Sequence, residues 1–318
     1  MGRELSWVVA TLVLQAIWGC AFSSLLGPRT AATNIDNNDN QDQLNTNEYC
    51  HTCVKIDSLC YNHSYLFQLP APFGDHPFVK RMAIMQATNV LYYNFQPAFA
   101  DKEYSKVAFV SLNNPQYSGV ISGWQSYNFD TFDINQNEKK VYLGGSDGIW
   151  VVNSTSRFPS FYGMRKNLIT NIVVKDYVYF TSAERKGIYK YIDGYYVGQF
   201  VDKKINYFVM DNRYDTVYLN DSGLYISFSR QTLEDVRLTR QRVIGGLTAD
   251  NRGTVYVWRV DGLYKISLSI HLSQSTLKRV SNIAPDAMTF DESNNIIYSI
   301  RNNLYKLTLV PTSKCFGL

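Results

Sequence analysis

A chain of 318 residues with 45% hydrophobic and only 18% charged side chains has the apolar material for a core, which excludes a wholly disordered protein. Thirty-one Lys and Arg against 27 Asp and Glu leave a formal charge of +4, too small an excess for the basic stripe of a nucleic-acid-binding surface. Twenty-four Tyr, 17 Phe and 19 Gly lean the chain towards β structure.

The first segment reads as an address. Arg3 precedes an apolar stretch from Trp7 to Trp18, and the small residues Gly19, Cys20, Ala21 and Ser23 follow. That order predicts a secretory signal peptide over 1–23, with a signal anchor as the alternative. The stretch is short for a membrane span, which takes about 20 apolar residues. Residues 24–48 are rich in Asn, Asp and Gln and are expected to be a disordered tail. The folded region is expected over 49–318.

With Cys20 assigned to the signal region, Cys50, Cys53, Cys60 and Cys315 remain. An even number in a secreted chain predicts two disulfides. Three pairings are open, and each links Cys315 to the N-terminal cluster. A zinc site using His51 or His63 is the alternative, although the spacing fits no standard finger. Asn62, Asn153 and Asn220 begin glycosylation sequons, which matter only on the secretory route.

One unit then recurs: an apolar strand, a turn with Asp or Asn, a strand carrying Tyr, a tight turn, and a third strand. The clearest copies read FVMDNRYDTVYLNDSGLYIS (208–227), GLTADNRGTVYVWRVDGLYKI (246–266) and AMTFDESNNIIYSIRNNLYKL (287–307). Earlier copies span 132–152 and 172–191, and a weaker one begins at 82. Aligning their second-strand tyrosines gives Tyr92, Tyr142, Tyr179, Tyr218, Tyr256 and Tyr298, at intervals of 50, 37, 39, 38 and 42. Six units of this period predict an all-β fold, a six-bladed β-propeller, over a β-sandwich. A propeller leaves no open edge only if its ring closes. The strand-like segment 64–69 is expected to lie beside 304–310 in the last blade, stapled by a disulfide joining the N- and C-terminal regions. The six tyrosines are expected to pack between blades.

In each blade the strands are termed A to D from the axis outwards. The D–A and B–C connections then share one face. Basic residues gather there: Arg81, Lys166, Lys186, Lys204, Arg242, Arg259, Arg279 and Arg301, with Trp124 and Trp258 nearby. The A–B turns on the other face carry Asp133, Asp176, Asp211, Asp215, Asp250 and Asp291. The expected site is therefore a basic channel mouth. There Arg forks would hold a carboxylate bidentately and Trp would stack on a flat ring. The alternative is a set of ordinary solvated loop charges.

None of the four histidines sits in a recognisable triad, and no H-E-x-x-H, G-x-S-x-G or Walker motif appears. No catalytic residue, metal or cofactor is therefore assigned. Some six-bladed propellers are calcium-dependent lactonases with single ligands on separate blades. On that alternative reading Asn171, Asn206 and Asp286, near A-strand starts, are the residues of interest. A protein-binding propeller without a small ligand is a third reading, and it predicts an exposed apolar patch on one face.

The segments CHTCVKIDSLCYNHSYLFQL (50–69) and VYLGGSDGIWVVN (141–153), with third strands of the GLYKI type, resemble the ommochrome-binding proteins of moth and butterfly haemolymph. The likeness runs from about Cys50 to the end. The Asn-rich tail departs from the family, as does Trp150 where other copies carry Tyr. The resemblance implies a secreted haemolymph carrier, expected to be monomeric. Its partner would be an ommochrome, a flat conjugated pigment derived from tryptophan and bearing carboxyl and amino groups. It implies neither a nucleic-acid nor a membrane partner.

Overall fold

The structure is a computed structural model that describes residues 53–74, 77–96, 105–121, 128–154, 156–228, 235–269, 272–311 and 315. The expected signal peptide and polar tail lie outside the described residues, as do Cys50 and Trp124. Among the described residues no helix is long and apolar enough to cross a membrane.

Short runs of β-branched and aromatic residues, punctuated by Asp, Asn and Gly, form strands joined by tight turns. β1 (Cys53–Ile56) and β2 (Leu59–Gln68) precede the first blade. Blade 1 comprises β3 (Val79–Met85), β4 (Val90–Phe95), β5 (Lys106–Ser111) and β6 (Ser118–Val120). Blade 2 follows with β7 (Phe129–Asn135), β8 (Lys140–Gly145), β9 (Gly148–Asn153) and β10 (Ser160–Gly163). Blade 3 is β11 (Ile169–Val174), β12 (Val178–Ser182), β13 (Arg185–Ile192) and β14 (Tyr195–Gln199). Blade 4 is β15 (Tyr207–Met210), β16 (Thr216–Asn220), β17 (Gly223–Ser227) and β18 (Val236–Thr239). Blade 5 is β19 (Gly246–Ala249), β20 (Val255–Arg259), β21 (Gly262–Ser267) and β22 (Thr276–Ser281). Blade 6 takes β23 (Ala287–Phe290), β24 (Ile296–Ile300) and β25 (Asn303–Val310) from the C-terminal end of the chain.

Each blade is an antiparallel sheet, and the inner strands β3, β7, β11, β15, β19 and β23 neighbour one another in turn, with β23 back beside β3. The fold is the expected six-bladed propeller. The expected closing strand is β2, which runs antiparallel to β25 from Cys60 opposite Val310 to Gln68 opposite Asn303. β1 then pairs with β2 and gives blade 6 a fifth strand, which sequence reading had not assigned. A disulfide joins Cys60 to Cys315 across 255 residues of sequence, with Cα atoms 5.8 Å apart. Cys53 is disulfide-bonded as well.

The core sits between blades. Each of six hydrophobic clusters draws on two neighbouring blades, so the central strands are buried on both faces and read as continuous apolar runs. Between blades 1 and 2, for example, Tyr92 and Phe109 meet Phe132 and Leu143. The closing interface packs Ile297 and Leu304 of blade 6 against Leu91 and Tyr93 of blade 1. Full burial of one such side chain is worth about 1.5–3 kcal/mol, so the six interfaces together hold the ring shut. The B–C hairpins of blades 2, 4 and 5 turn sharply on glycine, at Gly148, Gly223 and Gly262. Gly223 has φ +137°, and a β-carbon there would lie 2.1 Å from the Thr239 carbonyl oxygen.

The repeat tyrosines pack as expected. Tyr92, Tyr142, Tyr179, Tyr218 and Tyr298 are buried and Tyr256 is half-buried. Burial disfavours every one of these phenolates, pushing Tyr92 and Tyr298 up to about 12 and the other four up as well. A raised folded-state value stabilises the fold below the unfolded value of 10.0, and that stability is lost as pH rises through the folded value. In an alkaline titration followed by tyrosinate absorbance, these six should therefore ionise together with unfolding, above pH 10. Their ionisation near 10 in a chain that keeps its β signal would contradict this packing.

Candidate functional site

A cavity of about 470 Å³ occupies the propeller axis, lined by residues of all six inner strands. Its walls present more polar than apolar surface, although Met82, Ile84, Val209, Leu247, Met288 and Phe290 stand among the lining residues. Tyr207 and Trp258 add aromatic surface. The volume is that of a small-molecule pocket.

The inner polar group is Arg81, on β3. Its Nη1 donates to Asn171 Oδ1 at 2.6 Å and to Thr131 Oγ1 at 3.3 Å. Its Nη2 lies 3.8 Å from Asp133 Oδ2, and the guanidinium carbon is 5.8 Å from the centre of the Tyr207 ring. The fold fixes these partners in turn. Asn171 is fully buried and its Nδ2 donates to the Phe208 carbonyl, tying blade 3 to blade 4. Asp133 accepts the Val174 N–H at 2.8 Å, tying blade 2 to blade 3. Arg81 is thus oriented on its Nη1 side, while a guanidinium has five donors in all.

Trp258 is a wedge as much as a wall. Only 3% of it is exposed, and its Nε1 donates to the Asp286 carbonyl at 3.1 Å. A β-carbon on Gly246 would sit 2.2 Å from the indole, so glycine there makes room for the ring.

The cavity completes its walls with the first residues of the A–B turns, the face opposite to the expected one. Gln86, Gln136, Lys175, Asn212, Asn251 and Glu292 stand there, one from each blade. Amide hydrogen bonds lace four of them. Asn212 Nδ2 donates to the Asn251 carbonyl at 3.1 Å, and Gln86 Nε2 to Asn251 Oδ1 at 3.1 Å. The Gln86 N–H donates to Gln136 Oε1 at 3.0 Å, and Gln136 Nε2 to the Ile84 carbonyl at 2.7 Å. Burial holds the Lys175 ammonium below the usual lysine range, although Asp133 and Asp211 pull the other way.

Of the ten residues expected to hold a ligand, Arg81 and Trp258 line this cavity, and Trp124 lies outside the described residues. The other seven do not line it. Arg259 pairs with Asp261 at 3.1 Å and stacks on Tyr264 at 4.8 Å. Arg279 donates to the Asp261 carbonyl, and Lys204 pairs with Asp221 at 3.2 Å. Arg301 turns the blade 6 hairpin at φ +56°, its N–H donating to Asp286. Lys166 and Arg242 are exposed on connections between strands, and Lys186 is exposed at the start of β13. The acidic A–B face is spent on its own backbone. Asp211 Oδ1 accepts the N–H groups of Arg213 and Asp215 at 2.7 and 2.9 Å. Asp250 Oδ1 does the same for Arg252 and Thr254, at 3.0 and 2.7 Å.

Asn206 bonds Asp221 at 3.0 Å, and burial pushes the Asp286 carboxyl up against the pull of Arg301. Among the described residues no three His, Cys, Asp or Glu side chains cluster as metal ligands. His63 stacks on Tyr305 and lies 2.8 Å from the Tyr298 hydroxyl. The sequon asparagines Asn62 and Asn153 are exposed. Asn220 is half-buried, and its amide oxygen holds the Ser222 N–H at 2.8 Å.

Fold and cavity together define a six-bladed propeller with a ligand-sized axial pocket. No family model matches the chain. It is similar to the ommochrome-binding protein of Manduca sexta, 26% identical over 235 residues that cover 71% of this chain and 81% of that protein. This supports the family that its cysteine-rich start and blade repeats resemble. Among solved structures it is similar to a gluconolactonase from Xanthomonas campestris, with a TM-score of 0.58, 11% identity, and 82% of this chain and 96% of that one covered. The virginiamycin B lyase of Staphylococcus aureus gives a TM-score of 0.55 at 9% identity, covering 79% of this chain and 100% of the other. At such identities both likenesses speak for the fold alone.

Proposed function

We propose that the protein is a secreted carrier that binds an ommochrome-like pigment non-covalently in the axial cavity and transports or stores it in haemolymph. The observation that carries this reading is Arg81, a guanidinium held inside the axial cavity beside Tyr207, with its Nη1 side committed and donors left for a guest. The pigment's ring system lies along Tyr207, and a ring carboxylate takes the Arg81 fork. The seven basic residues outside the cavity draw the anion towards the protein at long range. The carrier acts as a monomer and needs no cofactor.

Similarity to a protein named for ommochrome binding supports the ligand class. The hydrolase alternative would run through Asn171, and both ends of that amide are engaged, by Arg81 and by the Phe208 carbonyl. The test is an absorption titration of the purified chain with xanthommatin, with and without a chelator. A saturable spectral shift that ignores the chelator is expected. No shift, together with chelator-sensitive lactone hydrolysis, would replace the carrier with the enzyme.

A further inference from the structure

The ring of A–B residues at the cavity has four amides and two charges. The four amides are all hydrogen-bonded into it. Among the described residues the Lys175 ammonium and the Glu292 carboxylate have no hydrogen bond or ion pair. Lys175 stands on blade 3 and Glu292 on blade 6, three blades apart in a ring of six and therefore on opposite walls. We infer that this end of the cavity selects a ligand carrying an amino-acid head group, its carboxylate paired with Lys175 and its ammonium with Glu292. The inference rests on the carrier reading and adds a specificity that reading does not contain.

The physical argument is complementarity. Two opposite charges held on facing walls, each without a partner, gain most from a guest that presents both signs at once. Burial already disfavours the lone Lys175 ammonium, and an arriving carboxylate relieves that penalty. A guest with only an acid leaves Glu292 facing an anion, and a guest with only an amine leaves Lys175 facing a cation. The neutral amides around them add hydrogen-bonding capacity without favouring either sign. Arg81, farther along the axis, remains available to a second acidic group on the same ligand.

The test is calorimetric titration of the full chain with three probes that share one ring system: L-tryptophan, indole-3-propionate and tryptamine. L-Tryptophan should bind about 10-fold more tightly than either single-charge probe, as one charged hydrogen bond is worth at least that factor. Lys175→Met should bring L-tryptophan down to the affinity of tryptamine without weakening tryptamine. Glu292→Gln should bring it down to that of indole-3-propionate. Both variants should melt with the unaltered protein, since neither side chain holds the fold. Equal affinities for the three probes, no binding of any, or variants that weaken all three alike would overturn the inference. Xanthommatin titrated in parallel separates the two claims. If the pigment binds and the probes do not discriminate, the carrier stands and the head-group site fails. If no pigment binds while the probes discriminate, the carrier is what fails.

Discussion

Arg81→Met should lower the affinity for xanthommatin by about 10- to 100-fold and cost about 1–3 kcal/mol of stability, each the scale of a lost charged hydrogen bond. The guanidinium does two things at once. It satisfies Asn171 Oδ1 at 2.6 Å where Asn171 is fully buried, and it offers the cavity a planar fork beside Tyr207. Methionine fills the space but leaves Asn171 Oδ1 with only the Thr131 hydroxyl, 3.4 Å away, and Asp133 loses its nearby cation. The two effects separate with Arg81→Lys. Lysine keeps the charge near Asp133, so thermal stability should recover in part. It cannot present two parallel donors to a carboxylate, so pigment affinity should stay low. Absorption titrations give the affinities and thermal melts give the stabilities. An affinity unchanged in both variants would remove Arg81 from the pigment site.

The fold was legible because its physics is periodic. Every blade must bury both faces of its middle strands, so the tyrosines from Tyr142 to Tyr298 return every 37 to 42 residues, after a first interval of 50. Closure was legible from two terminal clues, the strand-like segment before the first repeat and Cys315 near the end. β1 was not, because Cys53–Ile56 is four residues long and sits among cysteines that suggest a loop. The site was legible only in part. Sorting charges by connection names a face, but it does not tell whether a side chain leans towards the axis or is spent locally. Arg259, Arg279 and Lys204 are spent locally, on Asp261 and Asp221. The acids Asp211 and Asp250 are spent on their own turns. Gln86, Gln136, Lys175, Asn212, Asn251 and Glu292 carried a signal that was overlooked. Each stands one or two positions after its inner strand, so aligning the repeats at that position would have exposed one cation and one anion among four amides.

Cys60→Ser combined with Cys315→Ser should destabilise the protein by about 2–5 kcal/mol, on the scale of a native disulfide closing a long loop. For a domain of this size that is a drop of roughly 5–15 °C in melting temperature. The argument turns on how the ring is closed. Blade 6 takes its three inner strands from the C-terminal end of the chain and its two outer strands from the N-terminal end of the propeller. Without the cross-link, only the ladder between β2 and β25 and the packing around it keep the two ends together. Cys60 is 1% exposed and lies opposite Val310, at the last register position of that ladder, so the bond fastens the end from which β2 would peel. Substitution is preferable to reduction here, because a reductant would also attack the disulfide of Cys53. Hydrogen exchange localises the effect. Amides of 53–68 should exchange faster in the double variant, while the inner strands of blades 2 to 5 keep their protection, since local opening need not propagate round the ring. Unchanged protection over 53–68 together with an unchanged melting temperature would mean that packing alone closes the propeller. A uniform loss of protection in all six blades would mean instead that the ring opens as one cooperative unit, with blade 6 as its latch.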